Sequence, residues 1–440
     1  MTISLAMIVK NEAGAIGHCL QSVRGLVDDI VLVDTGSTDA TVAIARQEGA
    51  RIFHFPWVDD FAAARNESLG HCTGDWILVL DADEAIDPLD HPLIREACQV
   101  ATAQAYHLTL RNYNTSGRFY IQDAMARKNT SSYREGREYP FYVDFLGLRL
   151  CRRSPGLAFT GRIHELLDPY FNSRTIPILS LPGAVIHHFG KLNDGREKVK
   201  ARFYLDLAQR DLQTDPGNSQ FHFNVVQQGL QVQDWPVVLE SAEAYQRLRP
   251  VVPSLIHFGA GLALLRMGRQ QEALPYFDRI VQTHPGHALA LAHRGIALAA
   301  LGREAEAEQS FKKAIQVNPG YTLPYVSYGD LAFSQGRIEV ARAVLHQGVA
   351  NCPSDPLMLG GLLLFDLRIN DMEQAMVDAR RALEALPGEG GGLWHRLSAL
   401  SEYRAGRVLE AITILERGMA LFPENAALRS MRDDFSAQAG

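Results

Sequence analysis

An α/β domain followed by an all-α repeat solenoid is the fold that the 440-residue sequence predicts. Three observations carry it. Short, β-branched-rich apolar runs alternate with helical patterns through residue 190. From residue 218 onward strand patterns vanish and Ala, Leu, Arg and Glu dominate. Within that second half, prolines recur at a nearly constant spacing. Composition agrees with a globular chain, at 47% hydrophobic and 21% charged residues, which excludes disordered and collagen-like classes. A net charge of −7 argues against nucleic acid as a partner.

The first half is justified element by element. ISLAMIV (3–9), DIVLVD (29–34), RIFHF (51–55) and DWILVLD (75–81) read as buried strands. Residues 14–27, 38–48 and 62–72 have helical spacing, and Ser37, Thr38 and Asp39 offer N-cap chemistry for the second. Strands alternating with helices of that length mean βαβ units and a mostly parallel, Rossmann-like sheet. The N-terminal apolar run breaks at Lys10-Asn11-Glu12, too early for a signal peptide's core, and no later run reaches membrane length. Five scattered cysteines without a CxxC pair fit a reducing compartment. A soluble, cytoplasmic protein is expected.

In the second half Pro216, Pro250, Pro285, Pro319, Pro353, Pro387 and Pro423 are spaced by 34, 35, 34, 34, 34 and 36 residues. Gly295, Ala307, Phe311, Ala314 and Pro319 mark one unit, and Gly261, Ala273, Phe277 and Pro285 repeat its register. An irregular bundle would not hold such a period. The pattern resembles the tetratricopeptide repeat, in which small residues let paired helices approach and Pro ends the second helix. The expected domains are 1–190, a helical connector at 191–217, and repeats over 218–440 closed by a polar-ended capping helix.

No GxGxxG follows the first strand. Acids and small residues instead lie at consecutive strand ends, where open α/β sheets bind ligands, in MIVKNE (7–12), VDTGSTD (33–39) and LVLDADE (78–84). DDFAAARNESL (59–69) opens a helix between them. In this order the segments resemble GT-A glycosyltransferases of family 2. They are most similar to the branch that carries C-terminal tetratricopeptide repeats, which includes bacterial peptide and protein glycosyltransferases of the sublancin S-glycosyltransferase type. A lone DxD is weak; four motifs in order are specific.

The resemblance implies roles residue by residue. Asp81 and Asp83, read as lying on one side of a strand end, would hold Mn2+ or Mg2+ shared with a diphosphate, with His188 of VIHHFGK completing the metal site. Asp34 and Glu12 would face the nucleoside, and Arg65 and Asn66 the base or phosphate. Each has a plainer reading: Asp34 as a helix cap, Glu12 as a turn acid, Arg65 as partner of Asp59 or Asp60. Glu165 of GRIHELL is the candidate general base, which His164 would orient. His187 reads as a core histidine. Lys191 stands where the family commonly has Tyr. The arginines of 109–153 (Arg111, Arg118, Arg127, Arg134, Arg137, Arg149, Arg152 and Arg153) read as a solvated insertion rather than a basic lip.

The function expected is an inverting, metal-dependent transfer of a hexose from a nucleotide-sugar, a UDP-sugar, to a peptide or protein side chain. The repeats would bind the acceptor and could supply a homodimer interface. Transfer to a lipopolysaccharide core or lipid-linked sugar is the alternative acceptor class, and a non-catalytic repeat scaffold the alternative without chemistry.

Overall fold

A computed structural model describes residues 1–114, 120–121, 124–125, 127–189, 197–353, 355–386, 388 and 390–439. Arg118 and Lys191 lie outside the described residues. The chain divides into two compact units, Met1–Met267 and Gly268–Gly440. Among the described residues no helix is long and apolar enough to cross a membrane.

In the first unit, β1 (Ile3–Val9), β2 (Asp29–Asp34), β3 (Arg51–His54) and β4 (Trp76–Val79) form parallel pairs in the order β3-β2-β1-β4. Strand β1 is apolar almost throughout because both faces are covered. Ile3, Leu5, Met7 and Val9 pack into one core with Leu32, Trp76 and Leu78, whereas Ala6 packs into a second core with Val31, Ile77 and Val79. The connecting helices are α1 (Ile16–Ser22), α2 (Thr41–Gln47) and α3 (Phe61–His71).

Past β4 the sheet becomes mixed, with one further parallel pair among antiparallel ones. After β5 (Glu84–Ile86) and α4 (His91–Gln99) comes β6 (Ala105–Asn114). The short β7 (Tyr120–Ile121), β8 (Ala124–Met125) and β9 (Arg127–Lys128) precede β10 (Phe141–Arg152). Then follow α5 (Asp168–Asn172) and β11 (Leu179–His188). The order continues β4-β10-β6-β11-β5, with β6 and β11 parallel and the other pairs antiparallel. This corrects the reading of 109–153 as a solvated insertion at its two ends, which are the central strands β6 and β10, while Arg127, Arg134 and Arg137 between them are exposed as expected. The charges of the two strands were misleading because they pair across the ladder: Arg111 lies opposite Asp144 and bonds it at 2.8 Å. Arg152 and Arg153 cap backbone carbonyls of Ala103 and Gly74.

Four further helices complete the unit: α6 (Glu197–Thr214), α7 (Ser219–Val232), α8 (Trp235–Leu248) and α9 (Ser254–Arg266). Leu205, Leu207 and Ala208 of α6 and Val225 of α7 bury Ile163 of the loop at 160–166.

The second unit starts with α10 (Gln270–Thr283). Packed pairs follow: α11 (Ala288–Ala300) with α12 (Glu304–Val317), and α13 (Leu323–Ser334) with α14 (Ile338–Asn351). Next come α15 (Pro356–Arg368) with α16 (Met372–Ala385), then α17 (Leu393–Arg404) with α18 (Val408–Leu421), and α19 (Ala426–Ala439). The recurrent glycine has a steric cause. A Cβ on Gly295 would stand 2.5 Å from the Phe311 ring, and one on Gly329 would stand 2.9 Å from Leu345. Helix α19 closes the stack by burying Leu428 and Phe435 against Ala411 and Leu415.

One buried acid makes this unit pH-sensitive. Asp366 on α15 is wholly buried; burial, then Asp378 of α16 and Asp371, push its carboxyl up to about 7, against the weaker pull of Arg342. The folded chain therefore binds this proton more tightly than the unfolded chain. Stability is full below about pH 4 and falls as pH rises through about 7. Asp366→Asn should stabilise the unit at pH 8 by on the order of 2–4 kcal/mol and do little at pH 4. Thermal melts across that range would show it, and parallel wild-type and variant curves would refute it.

Candidate active site

The site grows from the carboxyl ends of β1, β2 and β4. Asn11 takes a left-handed backbone (φ 58°), and its side-chain oxygen accepts the Thr38 N–H at 2.7 Å. Its own N–H donates to Ser37 Oγ at 3.0 Å, while Glu12 N–H reaches Thr41 Oγ1 at 2.7 Å. The KNE and DTGSTD motifs thus staple two loops together. Asp34 is buried beneath them and accepts the N–H groups of Gly36 (3.3 Å) and Ser37 (3.0 Å). Gly36 sits at φ 108°, which a side chain would strain.

The DADE segment departs from the expected geometry. Strand β4 ends at Val79, and residues 81–84 form a turn closed by Glu84 N–H donating to the Asp81 carbonyl at 3.1 Å. Alternation along a strand therefore does not apply, and the two aspartates face different partners. Asp81 bonds Arg65 and lies 3.7 Å from Arg149. Glu84, 2% exposed, pairs with Arg149 at 2.8 Å and accepts the Asp81 N–H at 2.8 Å. Burial opposes the charge on Asp81, yet the two guanidiniums hold its carboxyl well below the usual range. Glu84 moves the other way, pushed up to about 7 by burial and by Asp81, against the pull of Arg149.

Arg65 joins the site's two halves. It projects from α3, which Asp60 caps by accepting Ala63 N–H at 2.9 Å. Its partners are Asp81 and Glu165, the latter at 2.8 Å from Nε and 100 residues away, not Asp59 or Asp60. Arg65 is 6% exposed, and its Nη1 is buried without a hydrogen-bond partner. Asn66 is otherwise occupied: its amide clasps the Phe159 backbone, accepting N–H at 2.7 Å and donating to the carbonyl at 3.1 Å.

Strand register brings in His188. It lies opposite Glu84 on β5 and beside Asn112 on β6. His188 Nδ1 bonds the Asn112 side-chain oxygen, which turns Nε2 toward Asp83 Oδ2 at 3.3 Å. Both side chains are about a third exposed, so this pair opens to solvent. Burial works against a charged His188, but Asp83, Glu84 and Asp81 raise its pKa, marking a point that favours positive charge. His187, by contrast, is a core residue. Tyr133 stacks on it, Tyr113 bonds its Nδ1 at 2.8 Å, and burial pushes it down to about 4.

Comparison with known proteins supplies the family. Residues 4–155 match the model described as glycosyl transferase family 2, and residues 240–322 match a tetratricopeptide repeat model. The N-terminal unit carries a family 2 glycosyltransferase domain. The chain is 34% identical over 213 residues to a TPR repeat-containing protein of Synechococcus elongatus, covering 48% of this chain and 47% of that one. It is 43% identical over 84 residues to a Rickettsia felis protein named as a glycosyltransferase, covering 19% and 29%. It is 26% identical over 225 residues to the prophage-derived glycosyltransferase SunS of Bacillus subtilis, covering 50% and 48%. The chain thus spans about half or less of these relatives' lengths.

Within the glycosyltransferase domain, sequence reasoning missed three contributors. Arg149 was hidden among arginines read as solvated, Glu84 was overshadowed by the two aspartates before it, and Asn112 carried no motif. Three long-range pairings place them here: β4–β10 for Arg149, β5–β11 for Glu84 and β6–β11 for Asn112. His164 is exposed, with a left-handed backbone (φ 49°), and its ring meets Gln228 rather than Glu165.

Proposed function

We propose that the chain is an inverting, metal-dependent glycosyltransferase that moves a hexose from a UDP-sugar to a peptide or protein side chain. One observation carries the reading: a buried Arg65 bridges Asp81, in the turn after β4, and Glu165, beside a segment that matches a family 2 model. A positive group between two acids at the sheet's carboxyl edge suits a diphosphate that must bind beside a general base. Asp34, at the end of β2, and Glu12, in the loop after β1, would face the nucleoside.

The residues present fit a divalent cation. Asp83 and His188 offer a carboxylate oxygen and an imidazole nitrogen whose orientation is fixed from behind by Asn112, the usual support for a ligating histidine. Among the described residues no three acid, His or Cys side chains already converge on one point. A hard cation bound by one or two protein groups, with phosphate oxygens and water completing its shell, matches that arrangement. Asp81 would stand beside it while keeping Arg65. Such a cation would neutralise charge on the departing nucleoside diphosphate. Arg65 and Arg149 would steady the phosphates, and Glu165 would take the acceptor's proton.

The peptide acceptor rests on the repeats, whose stacked helices form extended binding surfaces in other proteins. The test mixes the full chain with a panel of UDP-sugars and Mn2+ and measures UDP release. Asp83→Ala should remove at least 100-fold of that rate, about 3 kcal/mol of barrier, without unfolding the chain. Wild-type turnover of the variant in EDTA would defeat the metal role.

A further inference from the structure

Three consecutive residues ahead of Glu165 are each gripped by a helix outside the sheet. The loop is closed by Thr160 and Leu166, which exchange two backbone hydrogen bonds at 3.0 Å. Inside it, Arg162 N–H donates to Asp211 of α6 at 2.7 Å, and the two side chains pair at 3.2 Å. Ile163 buries its side chain among Leu205, Leu207, Ala208 and Val225, and its carbonyl accepts from Asn224 of α7 at 3.4 Å. His164 Nε2 lies 2.7 Å from Gln228 Nε2, also on α7. Asn224 and Gln228 are both 1% exposed, an unusual setting for polar side chains unless the contacts they make matter.

The chemistry of that last contact is informative. The Gln228 amide can donate its N–H to this imidazole nitrogen or, turned over, accept from it through Oε1, which has no other hydrogen-bond partner, so in either orientation the contact ties His164 to α7. Its left-handed φ of 49° costs a non-glycine residue about 1 kcal/mol, which neighbouring contacts must offset. Directly after this strained residue the chain delivers Glu165 onto Arg65 at 2.8 Å.

We infer that Gln228, seconded by Asn224, is a positioning residue for the transfer reaction: the first repeat-like helix is part of the catalytic unit and holds the 160–166 loop so that Glu165 meets Arg65. This rests on the reading of Glu165 as the base. It gives α7 a task separate from acceptor binding, and it implies that donor turnover depends on residues beyond the sheet.

The test uses the full chain with Gln228→Met, which keeps length but cannot donate, and Gln228→Glu, which can only accept. UDP with Mn2+ probes affinity; the UDP-hexose that the wild type hydrolyses fastest probes turnover. Gln228→Met should lower kcat by about 10- to 100-fold while UDP affinity stays within about threefold. Gln228→Glu should force a proton onto His164 Nε2, raising that histidine's NMR-measured pKa by about one unit and moving the acid limb of the pH–rate profile upward. A loss of packing alone would move neither. Two folded variants with wild-type kcat and an unchanged His164 titration would overturn the inference. Glu165→Gln run alongside separates the failures: its retention of full turnover would remove the base itself, and the positioning role with it.

Discussion

Arg65→Met is expected to destabilise the first unit by about 3–5 kcal/mol and to abolish turnover. The Arg65 side chain is 8% exposed and Glu165 13%, while Asp81 is 37% exposed, so removing the guanidinium leaves two carboxylates facing each other with only Asp81 screened by water. Asp81 would lose the larger of the two charges that hold it ionised, with Arg149 only at 3.7 Å. The acids would then repel, and the 160–166 loop would lose its tie to α3. Arg65→Lys should recover part of the stability and little of the activity. One ammonium cannot reproduce a fork that meets Asp81 through Nη2 and Glu165 through Nε. Urea unfolding of both variants, read with UDP release, measures each effect. An Arg65→Met chain as stable and as active as wild type would show that the bridge is incidental.

Glu165→Gln should leave the fold and UDP affinity nearly intact yet lower transfer to a hydroxyl acceptor by roughly 10²–10⁴-fold. The amide oxygen can still accept from Arg65 Nε, so the loop stays in place, whereas the proton acceptor is gone. With a thiol acceptor the loss should be smaller and should shrink as pH rises past about 8.5, where the nucleophile ionises unaided. The comparison of acceptors under one variant therefore reports which atom is glycosylated. UDP affinity falling in step with kcat would place Glu165 in the nucleotide site instead.

Much of the molecule was legible beforehand, and the places where reading succeeded share a cause. ISLAMIV, DIVLVD and the Pro-spaced repeat are local patterns whose period fixes element type. The motif acids lie at strand ends, where local order alone suggests a ligand edge. Reading failed where a residue's role depends on a partner far along the chain. Arg111 looked solvated until Asp144 was placed opposite it on β10. Asp81 and Asp83 looked like one paired motif, but the turn to Glu84 sends them toward Arg65 and His188 respectively.

The sequence by itself determined an α/β domain with acids on its carboxyl edge, a repeat of close to 34 residues, and Asp81, Asp83, Arg65, Glu165 and His188 as the residues to watch. The domain and the repeat follow from periodicity, which acts within a turn or two of the backbone, whereas the five residues follow from the resemblance of their motifs to family 2 glycosyltransferases. Tertiary structure alone decided the mixed half of the sheet, the pairing of Arg65 with Glu165 100 residues away, and the contact of Gln228 with His164 across 64. Buried charges and amides take whichever partner the packed core brings within 3 Å, and no local pattern encodes that choice.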